Sequence, residues 1–167
     1  MISSAVITVS DSCFRGERED VSGPAVALAL AEAGFPVILR RTVPDEIEAI
    51  QAELLGCLAQ ARLVVTTGGT GIGPRDVTPD ATRALCDRSL DGVAELMRAE
   101  GRQETIFSVL SRAFCGTSGS SIILNLPGSP RGAVTSLRAV LPLLPHALRL
   151  LQGDTQHDDT ARDQEDH

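Results

Sequence analysis

The sequence contains no lysine, no tryptophan and no tyrosine, and four phenylalanines make up its 2% aromatic content. Proteins that bind single-stranded nucleic acid usually stack the bases on aromatic side chains, and this chain lacks that platform. A formal net charge of −7 also disfavours contact with a polyphosphate backbone. We therefore expect no nucleic-acid partner, and any bound phosphate has to be held by arginine side chains or backbone N–H groups.

Signals for disulfides, zinc, secretion and membranes are also missing. The four cysteines form no C-x-x-C pair and match no zinc-binding spacing. The first twelve residues have no charged region and no long apolar stretch, so they do not form a secretory signal peptide. No apolar run is long enough to cross a membrane. These absences together predict a cytoplasmic protein in a reducing compartment, with no membrane partner.

Short β-branched runs alternate with segments of helical periodicity along the chain. The four predicted strands are 5–10, 37–43, 63–67 and 121–126. The predicted helices are 23–33, 45–61, 80–87, 92–114 with a break near Gly101, and 132–151 with interruptions at two prolines. Strands that alternate with helices predict an α/β fold, in which a mainly parallel sheet is covered by helices on both faces.

Helix starts and the end of the chain carry further signals. Ser22 is placed to cap the helix that follows it, and Asp45 and Asp80 are placed to begin theirs. Residues 153–167 hold six acids and one arginine, with no apolar periodicity. We therefore predict a single domain over residues 1–152 and an acidic, disordered tail over 153–167.

A glycine-rich stretch follows the third predicted strand, where ligands bind in parallel sheets. It matches neither the dinucleotide fingerprint G-x-G-x-x-G nor the Walker A motif, which rules out a simple assignment to either class. Glycines nevertheless let successive backbone N–H groups approach an anion, and hydroxyls and a guanidinium add donors. The alternative is a tight turn without a ligand. The candidate anion-binding residues are Thr67, Gly68, Gly69, Thr70, Gly71 and Arg75.

Asp76 lies beside this candidate anion site, where a carboxylate repels the ligand unless a cation intervenes. Mg²⁺ is typically held by one or two carboxylates together with substrate phosphates, so Asp76 is a candidate metal ligand. A salt bridge to Arg75 or an Asx turn explains it equally well. Asp45 follows a second predicted strand, and taken alone it is better explained as a helix cap.

A second loop of similar design follows the last predicted strand at residues 125–132. Pro127, Gly128 and Ser129 precede Arg131 and a helix start, and two such loops on one sheet edge favour a nucleotide between them. Ser111 and Arg112 lie at the end of a predicted helix, and Arg112 either holds another phosphate or ends a surface helix. No Ser–His–Asp or Cys–His arrangement is legible, so nucleophilic hydrolysis has no support.

Four motifs, in this order and at these separations, resemble the molybdopterin adenylyltransferase family. This is the MoaB/Mog group, which includes the G domains of gephyrin and of its plant counterpart. The resemblance covers about residues 5 to 153, and the glycine-rich motif is its most specific part. The motifs are VPDE at 43–46, TTGGTGIGPRDVTPDA at 66–81, LSRAFCG at 110–116 and LNLPGSPRG at 124–132.

The resemblance implies a three-layer α/β/α sandwich and a homotrimer. Family enzymes use ATP and Mg²⁺ to transfer AMP to the terminal phosphate of molybdopterin, which yields adenylyl-molybdopterin and pyrophosphate. Molybdate is then inserted in a separate step, so a molybdate-insertion protein is an expected partner. The chain is therefore expected to be a nucleotidyltransferase of molybdenum cofactor biosynthesis.

The resemblance also implies roles for individual residues. Asp45 and Asp76 match the two essential aspartates, as catalytic residues and metal ligands, and Ser111 matches a position linked to pterin binding. Asp11 and Ser12 match a motif near the site. The residues implied at the nucleotide are Gly68, Gly69, Thr70 and Gly71, with Pro127, Gly128 and Ser129 beside them.

Two other functions are weighed against this one. A binding module that holds molybdopterin or assembles as a trimer, without catalysis, needs the same pocket but no ATP. A Rossmann-like oxidoreductase is disfavoured because its glycine fingerprint is not present.

Overall fold

A computed structural model of the chain describes residues 1–154. The strands are β1 (Ser4–Val9), β2 (Val37–Val43), β3 (Leu63–Thr67), β4 (Arg88–Ser89), β5 (Phe114–Ser118) and β6 (Ser121–Leu126). The α-helices are α1 (Asp11–Phe14), α2 (Ser22–Glu32), α3 (Ile47–Leu58), α4 (Thr78–Arg83), α5 (Asp91–Arg102), α6 (Pro130–Val140) and α7 (Leu144–Leu150). Two 3-10 helices, Ile106–Leu110 and Leu141–Leu143, complete the described elements.

The six strands form one sheet in the order β2-β1-β3-β6-β5-β4. The first four strands of that order are mutually parallel, whereas β5 and β4 are antiparallel additions at one edge. β1, β3 and β6 are buried along their whole length, as expected of parallel strands covered on both faces. Their carboxyl ends meet at one edge of the sheet, and this edge carries the candidate site.

Two apolar clusters, one on each face of the sheet, make the fold a three-layer α/β/α sandwich. On one face, α2, α5, α6 and α7 pack through residues such as Leu30, Met97 and Leu137. On the other face, α3 and α4 pack through residues such as Leu54 and Ala81. The predicted fold class is therefore confirmed.

The structure departs from the sequence prediction between residues 80 and 118. The predicted helix at 92–114 ends at Arg102, and the 3-10 helix Ile106–Leu110 and strand β5 follow it. β5 was missed because its short sequence, FCGTS, directly follows a helical apolar pattern. It exists because Gly119, at φ 55°, turns the chain into an antiparallel pairing with β6. The helix predicted at 80–87 lies instead at Thr78–Arg83.

Two predicted helix caps are also wrong. Ser22 is already the first residue of α2, and the Asp20 carboxylate accepts the N–H of Gly23 at 2.9 Å in its place. Asp45 does not cap α3, which begins two residues later, because its carboxylate bonds to the loop after β1.

The predicted boundary between the domain and the acidic tail lies at the end of the described residues. The last described helix ends at Leu150, and the predicted acidic tail lies outside the described residues apart from Gly153 and Asp154. The single-domain boundary at residue 152 stays a prediction. Within residues 1–154, no helix is long and apolar enough to cross a lipid bilayer.

Candidate active site

The loops that follow β1, β3 and β6 lie side by side because these three strands are parallel neighbours. Two bonds tie the second and third loops together. The N–H of Gly68 donates to the carbonyl of Leu126 at 3.1 Å, and the Thr67 hydroxyl donates to the carbonyl of Pro127 at 2.7 Å. The two glycine-containing loops predicted from the sequence therefore share one edge of the sheet.

At two positions the glycine loop adopts a backbone conformation that residues other than glycine rarely adopt. Gly68 and Gly69 have φ of 101° and 68°. A Cβ at Gly68 would collide with the carbonyl oxygen of Val9, and one at Gly69 with the hydroxyl of Thr78. That hydroxyl donates to the Gly68 carbonyl at 2.9 Å, so the turn is held rigidly. The loop therefore brings bare backbone to the wall of the adjoining cavity.

Asp76 folds back over its own loop. Its Oδ2 accepts the N–H of Gly73, three residues earlier, at 2.9 Å, and its own N–H donates to the Gly73 carbonyl at 3.0 Å. This is not the Asx turn offered as an alternative, in which the carboxylate accepts the N–H two residues later. Oδ1 has no hydrogen-bond partner in the part of the chain that the structure describes. Arg75 does not pair with Asp76, because it forms a bidentate ion pair with Asp11.

A reciprocal pair of backbone-to-carboxylate bonds links Asp11 and Asp45. The N–H of Asp11 donates to Asp45 Oδ2 at 2.9 Å, and the N–H of Asp45 donates to Asp11 Oδ1 at 3.0 Å. The N–H of Asp45 and the guanidinium of Arg75 lower the pKa of Asp11. Burial raises the pKa of Asp45, and the neighbouring carboxylates of Asp11 and Asp76 act in the same direction. The N–H of Asp11 and the charge of Arg75 act in the opposite direction, but no arginine of residues 1–154 forms an ion pair with Asp45.

Asp45 and Asp76 point into one polar cavity of about 620 Å³. Within residues 1–154, neither carboxylate forms an ion pair with an arginine. The cavity lies over the ends of β1, β3 and β6. Its other lining residues include Ser10, Cys13, Arg18, Asp20, Thr67, Gly68, Gly69, Gly128 and Ser129.

A second cavity of about 620 Å³ adjoins the first and shares Gly128 and Ser129 with it. Its wall is mainly apolar, with Met97 buried at its base and Phe107 exposed at its rim. The remaining lining residues include Thr70, Gly71, Ile72, Leu110, Ser111, Pro127 and Arg131. Two cavities of different polarity therefore meet at the loop after β6.

The arginines that the sequence marked for phosphate bind protein groups. Arg112 braces the glycine loop, because its guanidinium donates to the carbonyls of Gly71 and Asp76 and pairs with Asp80 at 2.9 Å. Arg131 pairs with Glu104 at 3.2 Å. Hydrogen bonding to Arg112 lowers the pKa of Asp80. These side chains therefore shape the site through the loops they hold.

The structure separates the predicted site residues into three groups. Asp45, Thr67, Gly68, Gly69, Asp76, Gly128 and Ser129 line the polar cavity. Thr70, Gly71, Ser111 and Pro127 line the apolar cavity, which Gly128 and Ser129 also border. Asp11, Ser12, Arg75 and Arg112 belong to neither lining.

Sequence reasoning missed several residues of the polar cavity in the segment after β1. Arg18 and Asp20 line this cavity, and they lie in the polar stretch 11–22, a predicted loop in which sequence reasoning marked only Asp11 and Ser12 for the site. The signal available was their position downstream of a strand whose carboxyl end faces the site. Which of these residues faces the cavity depends on the path of the loop, and the sequence pattern does not predict that path.

The fold and the site together define the class of protein. It is an α/β protein that binds small molecules at the carboxyl ends of its parallel strands. The features that indicate this are the glycine-rich turn, two carboxylates without arginine partners in the described part of the chain, and an adjoining apolar pocket. The chain belongs to the family described as "Probable molybdopterin binding domain", which matches residues 5–146.

Known proteins similar to this chain support that membership. The molybdopterin adenylyltransferase of Helicobacter pylori strain J99 is 38% identical over 153 residues, covering 89% of this chain and 87% of that protein. The molybdopterin biosynthesis enzyme MoaB from Thermus thermophilus is 48% identical, with a TM-score of 0.86, covering 92% and 98%.

The Drosophila melanogaster molybdenum cofactor synthesis protein cinnamon is 37% identical over 156 residues, which cover 92% of this chain. The chain spans only 26% of that protein, and about half (47%) of a bifunctional cofactor-biosynthesis protein from Synechococcus elongatus.

Proposed function

We propose that the protein is a molybdopterin adenylyltransferase of molybdenum cofactor biosynthesis. It transfers AMP from ATP to the terminal phosphate of molybdopterin and releases pyrophosphate. The observation that carries this proposal is the pair of cavities that meet at Gly128 and Ser129. One cavity suits a charged nucleotide and the other a flat heterocycle, so their junction is where a phosphate of one ligand reaches the other. The name of the Helicobacter relative gives independent support.

The apolar cavity is the proposed pterin pocket. Ile72 and Phe107 stand at its rim and Met97 at its base, which is the apolar lining typical of pockets for flat small molecules. Ser111 and Thr70 supply a few polar groups for orientation. The backbone N–H of Arg112 donates to the carbonyl of Thr70 at 2.7 Å, so the two sides of this pocket are fixed to each other.

The polar cavity is the proposed ATP site. Its glycine turn exposes backbone, and the loop after β6 leads into the N-terminus of α6, whose first N–H groups favour anions. The Thr67 hydroxyl is already used as a donor, because it bonds to the Pro127 carbonyl. The Ser129 oxygen accepts the N–H of Gly132, which leaves its O–H able to donate. Phosphate binding here relies mainly on backbone groups and a cation.

Mg²⁺ fits the donor set of the polar cavity. Asp45 and Asp76 face the same space without an arginine partner, and Asp45 is destabilised as an anion by burial. Residues 1–154 contain no group of three or more His, Cys, Asp or Glu side chains that could hold a metal, so the remaining ligands have to be substrate oxygens and water. Bound there, Mg²⁺ supplies charge neutralisation for the phosphates.

The reaction asks little covalent chemistry of the protein. A phosphate oxygen of molybdopterin forms a bond to the α-phosphorus of ATP, and the bond to the bridging oxygen breaks, so pyrophosphate leaves with the electron pair. The attacking phosphate is already ionised near neutral pH, so no side chain has to remove a proton from it. The loops therefore contribute positioning and electrostatic stabilisation, which dominate phosphoryl-type transfers.

The test is a coupled measurement of adenylyl-molybdopterin and pyrophosphate from purified molybdopterin, ATP and Mg²⁺. We expect Asp45→Asn and Asp76→Asn each to lower kcat at least about 100-fold, as loss of a group that stabilises transition-state charge usually does. Asp91→Asn is the matched control, because this aspartate at the start of α5 lies in neither cavity lining. Activity retained in Asp76→Asn contradicts the metal-binding role.

A non-catalytic molybdopterin-binding module is the second candidate, and the family description as a binding domain favours it. Calorimetry separates the two functions. Binding of molybdopterin without any binding of Mg-ATP supports the module, whereas binding of both supports the enzyme.

We further propose that the protein is a cytoplasmic homotrimer that hands its product to a molybdate-insertion protein. The support for assembly is a set of exposed apolar side chains, among them Ile106, Phe107 and Val109, with exposures of 68%, 72% and 52%. Light scattering coupled to size exclusion measures the mass directly. A mass of 17.6 kDa, that of one chain, excludes the trimer.

A further inference from the structure

Among residues 1–154, Arg18 is the one arginine in the lining of the polar cavity. Its backbone N–H donates to the carbonyl of Ser12 at 3.3 Å, which anchors the main chain of the loop at this residue. Its guanidinium makes one long contact, 3.4 Å to the hydroxyl of Ser10, and forms no ion pair within the described part of the chain. The side chain is therefore available to an anion in the cavity.

Other arginines near the sheet edge are engaged by acids. Arg75 pairs with Asp11 at 2.9 Å, and Arg15, three residues before Arg18, pairs with Glu17 at 2.9 Å. The sequence has no lysine to substitute for them. Arg18 is consequently the cation that this cavity itself offers to a ligand.

The charge balance of the cavity favours such a cation. Four carboxylates line it, those of Glu19, Asp20, Asp45 and Asp76. Asp20 is occupied in holding the start of α2, because it accepts from Thr8 at 2.7 Å and from Gly23. A triphosphate adds several further negative charges, and one divalent cation does not offset them all.

The position of Arg18 indicates which phosphates it meets. In transfer to the α-phosphate, the entering oxygen and the departing pyrophosphate lie roughly in line on opposite sides of the phosphorus. The apolar cavity, where the entering phosphate originates, joins the polar cavity at Gly128 and Ser129 after β6. Pyrophosphate then departs toward the opposite end, which is formed by the segment after β1, beyond β3 in the sheet.

We propose that Arg18 binds the β- and γ-phosphates of ATP and the pyrophosphate formed from them. This inference rests on the proposed adenylyl transfer. A guanidinium suits the task because its planar donors engage two phosphate oxygens at once and it stays charged at any physiological pH. Arg18 is thus a binding residue for the leaving group, placed on a loop outside the motifs that mark the family resemblance.

Isothermal titration calorimetry without molybdopterin tests the assignment. Wild type, Arg18→Gln, Arg18→Lys and the matched control Arg15→Gln are each titrated with inorganic pyrophosphate, ATP and AMP in the presence of Mg²⁺. Circular dichroism melts verify that all four proteins are folded. We expect Arg18→Gln to weaken pyrophosphate and ATP binding by about tenfold or more, since the lost hydrogen bonds are charge-assisted. AMP binding is unchanged, Arg18→Lys is intermediate, and Arg15→Gln behaves as wild type.

Two results overturn the role of Arg18 and leave the proposed function intact. Arg18→Gln that binds ATP and pyrophosphate as tightly as wild type shows that the guanidinium is not a ligand. Equal weakening of AMP and ATP places it elsewhere on the nucleotide. Wild type that binds none of the three ligands overturns the proposed function as well. Wild type that binds pyrophosphate through Arg18 but forms no adenylyl-molybdopterin rejects only the proposed reaction.

Discussion

Asp45 carries a cost to the folded protein at neutral pH. Its carboxylate is partly buried, it accepts one backbone N–H, and two other carboxylates lie nearby. Burial raises its pKa above the usual 3.8, so protonation of Asp45 is easier in the folded protein than in the unfolded chain. The stability contributed by this group is present in full below pH 3.8 and is lost as pH rises through the raised pKa.

We expect Asp45→Asn to stabilise the protein at pH 7 by about 0.5 kcal/mol, a small value because solvent screens a partly exposed group. The same substitution gives no gain below the ordinary aspartate pKa, where wild-type Asp45 is already neutral. Urea unfolding at both pH values measures the difference. An equal gain at acid and neutral pH contradicts the electrostatic explanation.

At Gly68 the neighbouring strand leaves no room for a Cβ atom. We expect Gly68→Ala to destabilise the protein by about 2–4 kcal/mol, because its positive φ and the carbonyl of Val9 both reject a Cβ. Gly56→Ala is the matched control. Gly56 lies inside α3, and a Cβ at this position meets nothing within 4 Å, so alanine there stabilises by about 0.5–1 kcal/mol. Chemical denaturation compares the two.

A destabilisation of Gly68→Ala no larger than that of an ordinary surface substitution contradicts the close approach of the β1 and β3 loops.

At the level of elements, α4 is fastened to the sheet by a buried polar cluster. The Asn125 amide of β6 donates to the hydroxyls of Thr66 on β3 and Thr82 on α4, at 2.9 and 3.0 Å. All three residues are fully buried. The chain between β3 and α4 is the glycine loop, so this cluster sets both ends of the loop that carries Asp76.

We expect Thr82→Val to cost about 1–2 kcal/mol, because it keeps the shape of the side chain but removes one acceptor from the buried Asn125 amide. Hydrogen exchange also rises in residues 68–83 as the helix loosens. Thr135→Val serves as the control, since its hydroxyl bonds to Glu104 in an exposed setting and its loss costs no more than about 0.5 kcal/mol. Urea unfolding and exchange mass spectrometry provide the readouts.

Equal costs for the two valine substitutions mean that burial of the cluster does not matter.

At the scale of the whole molecule, the two apolar layers bury Cys57 and Cys115, whereas Cys13 and Cys86 are partly exposed. The four cysteines are free, and burial raises the pKa of Cys57 and Cys86 to about 11 and that of Cys115 to about 12. Protonated thiols react slowly with alkylating agents. Cys13 is only partly buried and lines the polar cavity.

We expect iodoacetamide to label Cys13 first in the native protein at about pH 7.5, Cys86 more slowly because of its raised pKa, and the two buried cysteines only after unfolding. Mg-ATP slows the labelling of Cys13, because the nucleotide fills the cavity that the thiol faces. Peptide mass spectrometry over time follows all four positions. Labelling of Cys13 that is unaffected by saturating Mg-ATP places the nucleotide away from this cavity.

The sequence by itself determined the alternation of strands and helices, since buried parallel strands and amphipathic helices have different apolar periods. It also located both glycine loops. Gly68 and Gly69 in the first loop have positive φ, and Gly128 in the second lies close to the Cα of Gly68. The sequence did not predict strand β5 or the correct caps of α2 and α3. Strand pairing and loop-to-loop bonds join residues distant in the chain, as Asp11 and Asp45 do.

Only the tertiary structure decided which charged groups are free. The sequence marked Arg75, Arg112 and Arg131 for phosphate, yet each meets an acid that folding brings to it. No motif marked Arg18, and it lines the cavity because its loop follows the end of β1. Local patterns fix which elements form, whereas the pairing of charges depends on side-chain distances that only the packed sheet edge establishes.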